Sequence, residues 1–465
     1  MIVGIVPQAA AKPEAGLHRE LGLFDLVLAQ VLCVVGSSWV GIAAKLGRVH
    51  LLFWLGAMLL FYLPLAAVVV RVNRLLPLEG GLYRWATAGF GEMPGFLVAW
   101  NLWVYAVAAT GSIIFVVPTD LAYLLGPSWA WLPQSSWATF ALTGSVMVAI
   151  TLVALRGLDI GKWLHNAGSV LIMLAYLILL ALPLWALWRG SIAKFEPFPL
   201  AVPRPGWFAL AIFGQMTVGA LSGFEYVGIL AGECRGAART IGQSVMISAP
   251  IIAAMFILGT SSVLTFVGNA PINVIGPIPQ TFRLALGNSG PGNLAAQFAI
   301  GLILARAVAS SSLLFTGVTR LPLAAAWDNI GPRWFTRLDP RRGTPVNSIL
   351  FVAVLVMGFI VFSLAGVGDQ EAAQLLVAAS VVHYAIAYAA LFALPLIGGL
   401  RHRLPRWLKV VSVAGLGSSL VSLAISVYPV VDVVSRGEYA AKVTGVVLAT
   451  NMLGVLLYRA RTATR

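Results

Sequence analysis

Residues 213–233 read FGQMTVGALSGFEYVGILAGE, and the reading of this stretch decides the fold. It lies in an apolar run long enough to cross a bilayer. Gly214, Gly219, Gly223 and Gly228 interrupt the run, and Glu225 places a carboxylate inside it. Glycine weakens a helix, and a charge deep in lipid is costly. A membrane tolerates both where unwound backbone lines a cavity. Residues 31–42, VLCVVGSSWVGI, have the same character near the start of the chain. Two glycine-broken spans in corresponding places of two half-chains point to a binding site near the bilayer midplane.

The composition fits that reading. Of 465 residues, 60% are hydrophobic and 10% charged, against roughly 25% charged in soluble domains. The chain is therefore an all-α polytopic membrane protein with room for about twelve spans of roughly 20–25 residues. The expected spans are 21–44, 50–71, 95–125, 137–155, 163–188, 207–232, 243–268, 293–319, 346–366, 371–399, 407–429 and 439–459. Residues 1–20 hold Pro7, Lys12, Pro13 and Arg19 without an apolar core. They read as a short cytoplasmic tail, lacking the order of a cleaved signal peptide.

The net charge of +14 is spread between spans, so nucleic acid is not the expected partner; the lipid bilayer is. With the N-terminus inside, the outside segments hold only Lys45, Arg48, Arg189, Lys194, Arg204, Arg283, Arg436 and Lys442. All other Lys and Arg fall on the inside, except Arg306 within the eighth span. This imbalance places both termini in the cytoplasm of a cell-membrane protein. Cys33 and Cys234 do not suggest a disulfide framework, and no metal-ligand or cofactor-binding spacing is present.

Spans 1–5 (21–188) and 6–10 (207–399) each begin with a broken helix. Five spans per unit make the two units insert in opposite senses, an inverted repeat, followed by two further spans in 407–459. Within the first break, Val35, Gly36, Ser37, Ser38 and Gly41 can expose N–H groups at a half-helix start, where a carboxylate is favoured. Small residues at this spacing also serve close helix packing, and the segment alone does not choose. In the second break Gly219, Ser222, Gly223 and Phe224 are the candidates. Glu225 and Arg306 are the mid-membrane charges, Glu225 for proton coupling and Arg306 paired with Glu225, with Asp120 or with an acidic substrate. Ser310 and Ser311 offer hydroxyls for sodium or simply bond back to their own helix. His383 and Tyr384 fit a proton relay or a buried hydrogen-bonded pair.

Several segments together resemble the amino acid–polyamine–organocation superfamily of transporters. These are GSSWVG in span 1, LPLEGGLYRWATAGFGEMPGFLVAW after span 2, SGFEYVGILAGECRGAARTIGQSV in span 6, and TRLPLAAAWDNIGPRWF with GTPVNS after span 8. The resemblance implies a leucine-transporter-like 5+5 inverted repeat with discontinuous helices 1 and 6, alternating access, and an amino acid or amine substrate. It assigns the substrate carboxylate to Gly36, Ser37 and Ser38 and the amino group to the segment around Gly219–Phe224. The sequence departs from the family in four places, one of them after Glu233, where Gly236 and Ala237 replace the usual asparagine-proline. Trp39 stands where a smaller apolar residue is usual, Gly219 where a gating aromatic often lies, and span 5 has no lysine at the expected place.

The expected function is secondary transport of amino acids, by proton-coupled symport or by exchange. The alternatives are a sodium-coupled amino acid or polyamine transporter and a non-transporting amino acid sensor. A sensor lacks an output domain here. An intramembrane enzyme lacks a nucleophile–base pair, and a channel lacks a filter sequence.

Overall fold

A bilayer core offers no water to backbone groups, so apolar segments satisfy their hydrogen bonds as helices. The computed structural model describes residues 22–76, 81–204, 206–223, 237–324, 327, 333–340 and 343–462, and is helical with no strand among them. The helices are α1 (Leu23–Val34), α2 (Ser37–Ala44), α3 (Gly47–Leu75), α4 (Leu82–Phe90), α5 (Glu92–Leu125), α6 (Ser136–Arg156), α7 (Leu158–Trp188) and α8 (Trp207–Ala220). They continue with α9 (Ala237–Val267), α10 (Pro277–Leu286), α11 (Gly290–Ala324), α12 (Arg333–Thr336), α13 (Val346–Leu364), α14 (Asp369–Ala393), α15 (Trp407–Ile425) and α16 (Arg436–Thr462). Ten are long and apolar enough to cross a membrane, and the bent pair α1–α2 makes an eleventh span. Helix α8 is the first part of the sixth expected span, 207–232, of which 224–232 lie outside the described residues.

Burial ranks these spans. The apolar stretches of α5 and α14 are 83% buried, whereas that of α16 is 11% buried. Helices α5 and α14 pack on each other, α5 also packs on α11, and α11 on α7. α1 rests on α9, and α8 on α15. The last helix clasps this centre through a few polar contacts. Trp100 Nε1 donates to the Thr450 carbonyl (2.9 Å) and Asn101 Nδ2 to Asn451 Oδ1 (2.8 Å).

Two elements depart from the spans expected of the sequence. Span 10 ends at Ala393 rather than at 399, and the backbone turns at 394–400. Between spans 7 and 8 lies α10, a short amphipathic helix buried along one face. Its Arg283 caps the C-terminal end of α5. Nε donates to the Tyr123 carbonyl (2.6 Å) and Nη2 to that of Leu124 (2.7 Å), with Nη1 on Asn293 Oδ1 (2.6 Å). A guanidinium there satisfies the last carbonyls and opposes the helix dipole. Burial lowers the Arg283 pKa below its ordinary value.

Within α3, a widened turn spans Met58–Tyr62 just before Pro64. Proline has no N–H to offer the carbonyl four residues earlier. Ser418 Oγ of α15 donates to that Leu60 carbonyl instead (3.2 Å).

Candidate functional site

The break in span 1 is two residues long. Val35 (φ −79°, ψ 101°) and Gly36 (φ −105°, ψ 140°) are extended, and the half-helices on either side bend by 49°. A break leaves orphan carbonyls at the end of the first half and orphan N–H groups at the start of the second. The carbonyls are met. Arg306 Nη2 donates to Val35 O (2.6 Å), and the Tyr176 hydroxyl to Gly36 O (3.4 Å). Arg306 is buried on α11, and its charge opposes the dipole of α1. The N–H groups are treated differently. Among the described residues no side chain caps α2, and Gly36, Ser37 and Ser38 line an internal cavity.

The break in span 6 is built from side chains. The helix widens over Gln215–Ala220 and then unwinds. Thr217 Oγ1 (2.9 Å) and Ser422 Oγ of α15 (2.8 Å) both donate to the Gly214 carbonyl. Ser222 Oγ donates to Gly219 O (3.3 Å), and the Gly223 N–H to the Tyr388 hydroxyl (3.2 Å). Gly223 has φ +119°, a region that disfavours any side chain. A Cβ there would also lie 3.3 Å from Val34 Cγ2, so the two breaks meet at this glycine.

Where they meet is a cavity of about 110 Å³, bounded by spans 1, 3, 6, 8 and 10. Since a water needs about 10–15 Å³ measured this way, the space admits a small solute. Tyr105 stacks on Tyr384 (3.7 Å between centroids), which stacks on Tyr388 (4.4 Å). The Tyr384 hydroxyl and Ser310 Oγ are buried without a hydrogen-bond partner among the described residues. Buried polar atoms are ordinarily paired, which makes both candidate contacts for a solute. Arg306 is the charged residue of the described lining, which contains no Asp or Glu.

Of the residues singled out from the sequence, Gly36, Ser37, Ser38, Gly219, Ser222, Gly223, Arg306 and Ser310 all line this cavity. Three others fall beside it. Val35 gives its carbonyl to Arg306. Gly41 faces Pro277 of α10, where a Cβ would come within 2.7 Å of the ring. Ser311 Oγ donates to the Val308 carbonyl (2.9 Å), a bond within its own helix. Phe224 and Glu225 lie outside the described residues. His383 and Tyr384 face different neighbours. The histidine ring nitrogens are 2.7 Å from Ala379 O and 2.8 Å from Thr450 Oγ1, tying α14 to α16, while Tyr384 lines the cavity.

The sequence did not single out Tyr176, Tyr105 or Tyr388, whose roles appear only once the spans are assembled. It did offer Asp120 as a partner for Arg306. Asp120 is fully buried under Gly276, and it acts on Arg306 electrostatically without an ion-pair contact among the described residues. Among the described residues, the hydrogen bond Arg306 makes is to backbone.

A many-helix membrane protein, with two interrupted helices crossing at an internal cavity, is the class these features define. The chain belongs to the amino acid permease family, whose model matches residues 21–451, and is a transporter. It is 27% identical over 441 residues to an uncharacterized transporter of Mycobacterium tuberculosis, covering 90% of this chain and 93% of the other. It is 22% identical over 363 residues to the branched-chain amino acid permease of Bacillus subtilis, covering 75% of each. A probable agmatine/putrescine antiporter of Lactococcus lactis is 21% identical over 342 residues, covering 74% of this chain and 71% of that protein.

Proposed function

We propose that the protein carries neutral amino acids across the cell membrane by alternating access, with both termini in the cytoplasm. The observation that carries this reading is the asymmetry of the first break. Its carbonyls are occupied by Arg306 and Tyr176, while its N–H groups open onto the cavity without a cap. Uncapped N–H groups at a half-helix start, with a cation nearby, attract a carboxylate. The unwound segment that follows Ala220 is the end that receives the substrate ammonium. The relatives are named for different substrates, a branched-chain amino acid in one and agmatine or putrescine in another. A dication needs acidic partners, which the described lining lacks. This favours a zwitterion.

The same arrangement favours proton coupling or exchange over sodium coupling. Arg306 lies one helical turn from Ser310, so a fixed positive charge sits beside the hydroxyl that sodium would use. Sodium prefers a shell of oxygens without a neighbouring cation. Purified protein in liposomes, loaded with one neutral amino acid, is expected to take up another by counterflow. Uptake should respond to an imposed pH gradient or to internal substrate, and not to a sodium gradient. Strict sodium dependence would overturn the coupling assignment; transport of diamines without amino acids would overturn the substrate assignment.

A further inference from the structure

We propose that Trp39 is the gauge that sets the size of side chain this transporter accepts. The inference rests on reading the cavity as an amino acid site. Trp39 stands in the first turn of α2, half-buried, with its indole lining the cavity. The ring occupies a slot between the two broken helices. On one side is Gly36, where a Cβ would fall 2.7 Å from Cδ1 and 2.9 Å from Nε1 of the indole. On the other is Gly219, where a Cβ would fall 2.6 Å from Cη2 and 2.8 Å from Cζ3. Real Cβ atoms do not approach so closely. The glycines of both breaks therefore make room for one ring, and that ring takes space a ligand would otherwise fill.

Its position is suited to selection. Trp39 follows Ser37 and Ser38, the proposed carboxylate end, so it stands one residue from the group that fixes the substrate's orientation. The rest of the lining includes the apolar or aromatic Ile113, Val381, Tyr105 and Tyr384. A substrate held by its carboxylate must place its side chain among these residues and the indole. Removing the ring enlarges the space. Adding a methyl at Gly219 pushes the ring away from span 6 and reduces the space.

The test is counterflow in liposomes with a series of neutral amino acids from alanine to tryptophan, comparing wild type with Trp39→Ala, Trp39→Leu, Gly219→Ala and the double variant. Melting temperature and monodisperse elution report folding of each. Wild type is expected to favour small and medium side chains. Trp39→Ala and Trp39→Leu should shift the ranking of kcat/KM toward bulky side chains by on the order of tenfold or more, since one methylene in a pocket is worth about 10–200-fold. Gly219→Ala should narrow acceptance, and Trp39→Ala in the same chain should relieve it. A folded Trp39→Leu variant with the wild-type size ranking would overturn the gauge while leaving the amino acid site standing. Failure of wild type to bind any amino acid would overturn the site and the gauge together.

Discussion

The two broken helices solve one problem in opposite ways. At the first break the chain leaves helical geometry abruptly, over Val35 and Gly36, and a charged side chain from another span takes the Val35 carbonyl while Tyr176 takes that of Gly36. At the second the helix loosens first, through a widened turn, and neutral hydroxyls from Thr217, Ser222, Ser422 and Tyr388 hold it. Unsatisfied backbone in a membrane costs several kcal/mol per group, so both solutions are needed. They differ in what remains open. The first break presents donors to the cavity beside a fixed cation. The second takes up its described donor internally, since the Gly223 N–H is spent on Tyr388. On the proposed reading, the first break is the end that takes the substrate carboxylate.

Breaking the first arrangement should have the largest effect. Arg306→Gln removes the charge that holds the Val35 carbonyl. It is expected to lower stability by about 1.5–3 kcal/mol, the range for a charged hydrogen bond, and to weaken substrate binding at least tenfold. Thermal melting with and without substrate measures both, and Arg306→Lys should recover part of each. Gly41→Ala comes next. A methyl there meets Pro277 of α10, and overpacking costs about 1–3 kcal/mol. Because Gly41 lies off the cavity, melting should fall while the substrate ranking stays fixed.

At the second break, Tyr388→Phe deletes a neutral acceptor and should cost about 0.5–1.5 kcal/mol. A Tyr388→Phe effect equal to that of Arg306→Gln would erase the contrast between the breaks. The smallest effect is expected far from both, at Glu196. Its bond to Lys194, aided by Arg48, holds the carboxyl below its ordinary range. A depressed carboxylate contributes stability above its unfolded pKa and loses it as pH falls through the folded value. Glu196→Gln should therefore leave melting at pH 7 nearly unchanged, and any difference from wild type should vanish under acid.

Much of this was legible in the sequence for a plain reason. Membrane spans announce themselves by length and apolarity, and the breaks by glycine, so GSSWVG and GALSG stood out against Leu, Val and Ile. What stayed hidden depended on assembly. Arg306 suggested an acidic partner, because side chains are visible in a sequence and orphan carbonyls are not; the break creates its own acceptor. Helix α10 fell between the expected spans because Pro277–Leu286 is short and carries Gln280 and Arg283, too polar for a span. His383 and Tyr384 are adjacent in the chain, yet one hundred degrees of helix separates a packing bond from a cavity wall. Gly41 shows the converse. It shares the small-residue pattern of the break, but its smallness serves contact with Pro277.

The central idea is that open N–H groups at the start of α2 grip a carboxylate. The most direct measurement is a thermal-shift comparison, on purified protein, of each neutral amino acid beside its amide and its decarboxylated amine. A ligand that binds the native state raises its melting temperature. Amino acids are predicted to do so and the other two forms to fail at the same concentration; equal stabilisation by the amine would contradict the account.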